Sequence, residues 1–163
     1  MNESDTPPAN EGVAQDGDQT DRRVRLAARI SSDYLLKTLI LLKGIHGGDL
    51  LRAVIFQAIS AANTAHLDQE RARPDTAVGA IPADDARRPV SMLAIANGLG
   101  VPFETVRRHV NAMIQAGACA RVNGGVIVPR GALTSDQAVE ATSANYQNLA
   151  RLFRDLRAVG IEF

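Results

Sequence analysis

The chain has 163 residues, of which 45% are hydrophobic and 4% aromatic with no tryptophan, so an aliphatic core is expected. Its formal net charge is zero, but every charged side chain before Arg22 is acidic. The single cysteine, Cys119, excludes an internal disulfide and is interpreted as a small buried hydrophobe. We expect a cytoplasmic protein, because no signal peptide is recognisable and no apolar run is long enough to span a bilayer.

The N-terminal region divides into a tail and a helix. Residues 1–20 are polar and acidic and cannot bury enough apolar area to offset the entropy of ordering, which predicts a disordered acidic tail. Residues 21–48 are predicted to be a helical segment, with Ser31 and Ser32 as the place where it would break. Apolar residues surround most of the helix after Ser32, which predicts burial against a second protomer.

A second helix is predicted from Leu50 to about Leu67, with Asp49 as its N-cap. Its apolar stripe should pack across the helices that follow. His46 and His66 have no second ligand at helical spacing, so we interpret them as surface or capping residues rather than metal ligands.

Residues 68–88 form a connector rich in Ala, Asp, Arg and Pro, and it is longer than most loops. Its last two residues are Arg87 and Arg88. These arginines either contact a nucleic-acid backbone or are simply exposed to solvent.

Two short amphipathic helices joined by a tight turn are predicted next. Ser91 is the N-cap of the first, and Gly100 stands where the turn favours a residue that tolerates positive φ. Pro102 begins the second helix, predicted over 103–116 and ended by Gly117. The residues of this helix that should face inward are Val106, Val110, Met113 and Ile114.

A β-hairpin is predicted directly after these helices. Residues 118–122 and 126–128 are β-prone, and Asn-Gly-Gly at 123–125 is a strong turn signal between them. Two helices joined by a tight turn and followed by a hairpin predict a winged helix-turn-helix.

Residues 131–163 are predicted to contain a C-terminal helix that reaches about Val159. Thr134 and Gln137 have the spacing of a capping box at its start. The helix is expected to serve dimerisation through an apolar stripe formed by Leu149, Leu152, Phe153, Leu156 and Val159.

With these motifs the sequence resembles the winged-helix transcriptional regulators of bacteria. The run Pro102-Phe-Glu-Thr-Val-Arg-Arg-His-Val, with Gly117 after it, is similar to the recognition helix of the GntR and DeoR types. The resemblance covers about a quarter of the chain and is specific for the fold rather than for one family. It implies a mostly α fold with a small antiparallel β wing, in which residues 49–130 bind DNA and the N- and C-terminal helices flank them.

The charge distribution supports DNA as the partner. Between Ala86 and Arg130 the only acid is Glu104, against six arginines. An arginine-rich face is the electrostatic footprint expected of a protein that binds a duplex. The candidate DNA contacts are Arg88, Phe103, Glu104, Thr105, Arg107, Arg108, Asn111, Arg121, Asn123 and Gly124.

The helix 103–116 would enter the major groove, where outward side chains meet base edges. Arg107 and Arg108 point about 100° apart, so one is expected to read guanine and the other to hold phosphate. Asn111 could read adenine, and Thr105 with the first amides of the helix could hold a phosphate. Glu104 would accept from a cytosine amino group or favour the helix N-terminus by its charge.

The remaining contacts have less defined roles. Phe103 would pack on the preceding helix or touch a thymine methyl group, and His109 should pack inward. The turn at Asn123 and Gly124 would lie along the backbone or in the minor groove, with Arg121 as its cation.

A winged helix can also be a protein–protein interaction module, because fold does not imply function. Carboxylates interleaved with the arginines would be expected of a merely solvated face, and their scarcity favours DNA. No phosphate-binding glycine loop, catalytic triad or ligand-spaced pair is recognisable, so we expect no enzyme activity, cofactor or metal. The expected partners are double-stranded DNA and a second copy of the chain, without a membrane; nothing indicates a small-molecule effector.

Overall fold

The computed structural model describes residues 11–67 and 81–162, with side chains from residue 19 onward. These residues form six α-helices and one two-stranded antiparallel sheet, which confirms the predicted mostly α class with a small sheet. The helices are α1 (Glu11–Ile45), α2 (Leu50–Thr64), α3 (Met92–Leu99), α4 (Phe103–Gln115), α5 (Arg130–Leu133) and α6 (Asp136–Ala158). The strands are β1 (Ala120–Val122) and β2 (Gly125–Ile127). Contacts divide the chain into two compact units, one of residues 39–145 and the other of residues 11–38 with 146–162.

Helix α1 begins earlier than predicted. It starts at Glu11, so the predicted disordered tail is wrong for residues 11–20, while residues 1–10 lie outside the described part of the chain. The helix also continues without a break through Ser31 and Ser32. The Ser32 hydroxyl donates to the Ala28 carbonyl at 2.8 Å, which satisfies it inside the helix. Once a helix is nucleated, each added residue contributes one more backbone hydrogen bond, so polar residues extend it readily.

The apolar second half of α1 is only partly covered. Leu35, Leu36 and Ile40 are exposed, and the half-buried apolar residues around them are Tyr34, Leu39, Leu41 and Leu42. Burial of this surface against a second protomer stays a prediction.

Helices α2, α3 and α4 pack with β2 around the core of the unit formed by residues 39–145. Asp49 is the N-cap of α2, as predicted, and its carboxylate accepts a hydrogen bond from the Arg52 amide at 2.9 Å. The core is largely aliphatic, as the composition predicts, and its most buried members are Ile55, Ile59, Ala96, Val106, Val110, Met113, Cys119, Val126 and Val128. Cys119 is buried, which confirms that it is a packing residue, and this burial raises the pKa of its thiol to about 12.

The turn between α3 and α4 follows the sequence prediction closely. The Ser91 hydroxyl accepts from the Ala94 amide at 3.1 Å, which confirms it as the N-cap of α3. Gly100 has φ 64°, a conformation that costs glycine little and other residues more. Helix α4 spans Phe103–Gln115, one residue shorter than predicted, and Gly117 follows it with φ 74°.

The hairpin is shorter than predicted. Its register pairs Val122 with Gly125, so the turn contains only Asn123 and Gly124. Val90 adds a short bridge by exchanging two backbone hydrogen bonds with Val126, at 3.1 and 2.9 Å. A Cβ at Gly125 would overlap the Val90 carbonyl oxygen, so glycine is required for this close approach.

Asn63, a residue that the sequence does not single out, ties α2 to the hairpin. It is fully buried, and its amide nitrogen donates to the carbonyl oxygens of Arg88 (2.8 Å) and Val126 (3.1 Å). Its amide oxygen accepts from the Val128 amide at 2.9 Å. One side chain therefore satisfies backbone groups from two separate segments, as buried polar groups require.

The end of the connector is folded, whereas residues 68–80 lie outside the described part of the chain. Arg87 is only 4% exposed, and its guanidinium donates to the Pro82 carbonyl at 3.2 Å and lies 3.6 Å from the Asp84 carboxylate. Asp84 also accepts from the Arg130 amide at 2.6 Å, at the start of α5. Both roles that the sequence suggests for Arg87, backbone contact and solvent exposure, are therefore wrong.

Helix α6 has a different N-cap from the predicted one. The Ser135 hydroxyl accepts from the Ala138 amide at 3.3 Å, whereas the Thr134 hydroxyl donates to the Arg130 carbonyl of α5 at 3.2 Å. The capping box predicted at Thr134 is wrong because the short helix α5 precedes it and takes its hydroxyl. Among the described helices, none is long and apolar enough to cross a membrane.

Candidate nucleic-acid interface

The outer face of α4 is formed by the residues that alternate with its buried stripe. Val106, Val110 and Met113 face the core, as predicted, and Ile114 is half-buried. The helical period of 3.6 residues then turns the polar positions outward. They line an open depression formed by Glu104, Thr105, Arg107, Arg108, Asn111, Ala112 and Gln115. Five residues predicted as contacts therefore share this face, and one of them, Glu104, is the one acid of the segment.

Arg107 and Glu104 form an ion pair on this face. The Arg107 Nε and Nη2 atoms both lie 2.8 Å from the Glu104 Oε2 atom, and the hydrogen bond raises the pKa of Arg107 above its ordinary value. Both side chains are at least half exposed. A guanidinium has five N–H groups, so this contact leaves the Nη1 end of Arg107 able to donate elsewhere. Glu104, predicted from the sequence as a base contact or helix-end charge, therefore has a partner on its own helix that was not predicted.

Arg108 is exposed, and within residues 11–67 and 81–162 no carboxylate lies within ion-pair distance of it. Its neighbour Thr105 is half-buried, and the Thr105 amide donates to the Pro102 carbonyl at 3.0 Å. The Thr105 amide is thus used inside the helix start, which leaves its hydroxyl as the group for an anion. Phe103, at the first position of α4, is 41% exposed.

A hydrogen bond connects α4 to the hairpin. The Arg121 Nη2 atom donates to the Asn111 Oδ1 atom at 3.2 Å. Reading adenine would require both the amide oxygen and the amide nitrogen of Asn111, and its oxygen already accepts one of the two hydrogen bonds that its lone pairs allow. Two residues predicted as separate contacts are therefore one linked pair, and an adenine contact through Asn111 would share its oxygen with Arg121.

The tip of the hairpin lies beside the segment that carries Arg88. Asn123 and Gly124 are exposed, and a Cβ placed on Gly124 would lie 4.0 Å from the Pro89 Cβ atom. Arg88 is exposed next to Pro89, and its backbone is held by Asn63. The fold thus places three of the predicted contacts close to one another.

Beneath α4, His109 is buried, which confirms that it packs inward. Its Nδ1 atom lies 3.4 Å from the Asp49 carboxylate, whose pKa is held below its ordinary value chiefly by the Arg52 amide. His46 is half-buried with its ring 4.8 Å from that of Phe56, and burial lowers its pKa, so it is not a surface residue as predicted. Among the described residues, no group of His, Cys, Asp or Glu could hold a metal ion.

The surface charge remains positive after these corrections. With Arg87 buried, the exposed charges from Ala86 to Arg130 are Glu104 and the arginines Arg88, Arg107, Arg108, Arg121 and Arg130. Since Glu104 is paired with Arg107, its charge is neutralised locally. Comparison of the chain with protein-family models, with curated proteins and with solved structures found no match.

Proposed function

We propose that residues 49–130 form a winged helix-turn-helix and that the chain is a sequence-specific, double-stranded DNA-binding transcriptional regulator rather than an enzyme. Helix α4 lies in the major groove, which is about 12 Å wide and admits one α-helix. The β1–β2 hairpin lies on the backbone or in the minor groove. A regulator of this kind acts in the cytoplasm and binds DNA as a homodimer through its N- and C-terminal helices.

The outer face of α4 is the observation that carries this proposal. It is exposed and bears two adjacent arginines, and its single carboxylate is bonded to one of them. A protein-binding surface typically has large apolar anchors at its centre. Here the residues between Glu104 and Gln115 that face outward are polar except Ala112, and the one large apolar side chain, Phe103, is at the edge. DNA therefore fits this face better than the alternative, a protein–protein interaction module.

The contacts on this face give the two arginines different roles. Arg107 is held by Glu104 along one edge, so its free end has a defined direction, which suits a two-bond contact with guanine O6 and N7. Among the residues that the structure describes, no carboxylate restrains Arg108, so it suits a phosphate, which accepts from many directions.

Titration of a labelled duplex with the full chain tests the proposal. The logarithm of the affinity is expected to fall linearly with the logarithm of salt concentration, with a slope of about −0.9 for each phosphate contacted. Fluorescence anisotropy over a salt series measures it, and selection from random duplexes supplies the preferred site. If the folded chain fails to bind any duplex at low salt, the DNA proposal is wrong.

The variant Glu104→Gln is expected to separate affinity from specificity. Removing a negative charge from a surface that meets phosphate should raise the affinity for unrelated duplexes by about two- to fivefold. Because the glutamine oxygen accepts only a weaker hydrogen bond that lacks charge assistance, Arg107 should be held less firmly and the preference for guanine should fall by about five- to tenfold. Anisotropy with the selected duplex and with guanine-substituted duplexes measures both effects.

Gln115→Glu is the matched control, because it adds a carboxylate at the other end of the same face. It should weaken binding to all duplexes alike. If Glu104→Gln changed the affinities for the selected duplex and for the guanine-substituted duplexes by the same factor, Glu104 would not position Arg107.

A further inference from the structure

Helix α6 carries an exposed apolar stripe with a seven-residue repeat. Val139 is 57% exposed, Tyr146 71% and Phe153 42%, and the three stand seven positions apart on one continuous helix. Seven residues are nearly two full helical turns, so these side chains stay within about 40° of one another along the helix. Large apolar side chains in such a stripe are typical of a helix that pairs with another helix.

The positions between these large residues are small and exposed. Ser143 and Ala150 follow Val139 and Tyr146 by four residues, so they complete the alternating spacing of a coiled-coil seam. The seam therefore alternates a large residue with a small one. This alternation allows each large side chain to pack between two small ones of a facing helix.

The charges on α6 complement those of a second copy of the same helix that runs in the opposite direction. Asp136 and Glu140 lie in its first half and Arg151 and Arg154 in its second, and all four are exposed. Arg154 also lies 3.3 Å from the neighbouring Asp155, the one acid in the second half of the helix, where Arg151, Arg154 and Arg157 leave a positive surplus. Two copies paired antiparallel about Gln147 would bring Glu140 of each copy opposite Arg154 of the other. A parallel pair would instead bring like charges together, which is destabilising.

We propose that α6 pairs with α6 of a second copy of this chain as an antiparallel coiled coil centred near Gln147, with Val139, Tyr146 and Phe153 as its large seam residues. This stripe shares Phe153 with the predicted one, whose other members, Leu149, Leu152, Leu156 and Val159, are half-buried within the protomer. A twofold axis makes such an interface self-complementary, so each contact occurs twice. The inference specifies the proposed homodimer and does not depend on DNA binding.

Sedimentation velocity of the full chain from nanomolar to micromolar concentration tests the seam. The wild type is expected to dimerise, and Tyr146→Glu is expected to weaken the dimer by about a hundredfold or more, because it buries a charge at the centre. Gln137→Glu, which adds the same charge on an exposed position away from the stripe, should leave the dimer unchanged. Circular dichroism verifies that both variants are folded. A monomeric wild type, or a dimer that survives Tyr146→Glu, overturns the proposal.

A charge exchange tests the antiparallel orientation. Glu140→Arg should weaken the dimer by about tenfold, since it places two arginines opposite each other twice. Adding Arg154→Glu to the same chain should restore the dimer affinity to within about threefold of the wild type, because each ion pair then forms with its two charges exchanged. An unaffected single variant or an unrescued double variant overturns this orientation. Because the readout is mass rather than DNA affinity, the dimer and DNA proposals fail separately.

Discussion

Replacing Asn63 with alanine is expected to lower the free energy of unfolding by about 2–6 kcal/mol. The side chain is fully buried and makes three hydrogen bonds, to backbone groups of Arg88, Val126 and Val128. The Val126 carbonyl also accepts from the Val90 amide, so the substitution leaves chiefly the Arg88 carbonyl and the Val128 amide without a partner. Each buried group left in this state costs about 1–3 kcal/mol.

Urea unfolding followed by far-ultraviolet circular dichroism measures the effect, since the chain has no tryptophan. Gln57→Ala, at an exposed position on the same helix, is the control and should change stability by less than about 0.5 kcal/mol. Asn63→Asp keeps the size of the side chain but cannot donate to either carbonyl, so it should destabilise at least as much as alanine. A loss below about 1 kcal/mol for both variants would show that the hydrogen bonds of Asn63 do not hold the hairpin in place.

Replacing both Arg107 and Arg108 with alanine is expected to abolish specific DNA binding while the protein remains folded. Both side chains are exposed on α4 and neither contributes to the core, so circular dichroism should be unchanged. The single variants should differ. Arg108→Ala should weaken binding to all duplexes and reduce the salt slope by about 0.9, the value of one phosphate contact. Arg107→Ala should reduce the preference at one guanine by about ten- to a hundredfold.

The matched control is Arg22→Ala with Arg29→Ala, which removes two exposed arginines from α1. It changes the net charge equally and should leave specific binding intact. Unaltered DNA affinity in the folded Arg107 and Arg108 double variant would instead favour a protein–protein interaction module.

The local features of the fold could be predicted from the sequence because neighbouring residues determine them. The caps at Asp49 and Ser91 and the turn at Gly100 depend on hydrogen bonds and backbone angles within about four residues. The same holds for the inward stripe of α4, which follows from helical periodicity. The sequence by itself also placed the arginines on the outer face of that helix, since residues that alternate with a buried stripe must face out.

Contacts between distant segments were decided only by the tertiary structure. The burial of Arg87 depends on how the end of the connector folds, and the hydrogen bond between Asn111 and Arg121 joins a helix to a strand. Asn63 resembles any polar residue near a helix end until Val126 and Val128 are brought against it from more than sixty positions away. The pair formed by Glu104 and Arg107 is different, because its three-residue spacing is visible in the sequence.

The two apolar stripes of α6 show the same division. Periodicity identifies which residues of α6 share a face, but Leu149 and Tyr146 look equally suitable for a seam in the sequence. Only the packing of the protomer leaves Leu149 half-buried and Tyr146 exposed. Local hydrogen bonds and the helical period depend on residues close together in the sequence. The burial of a side chain depends on which distant segments the completed fold packs against it.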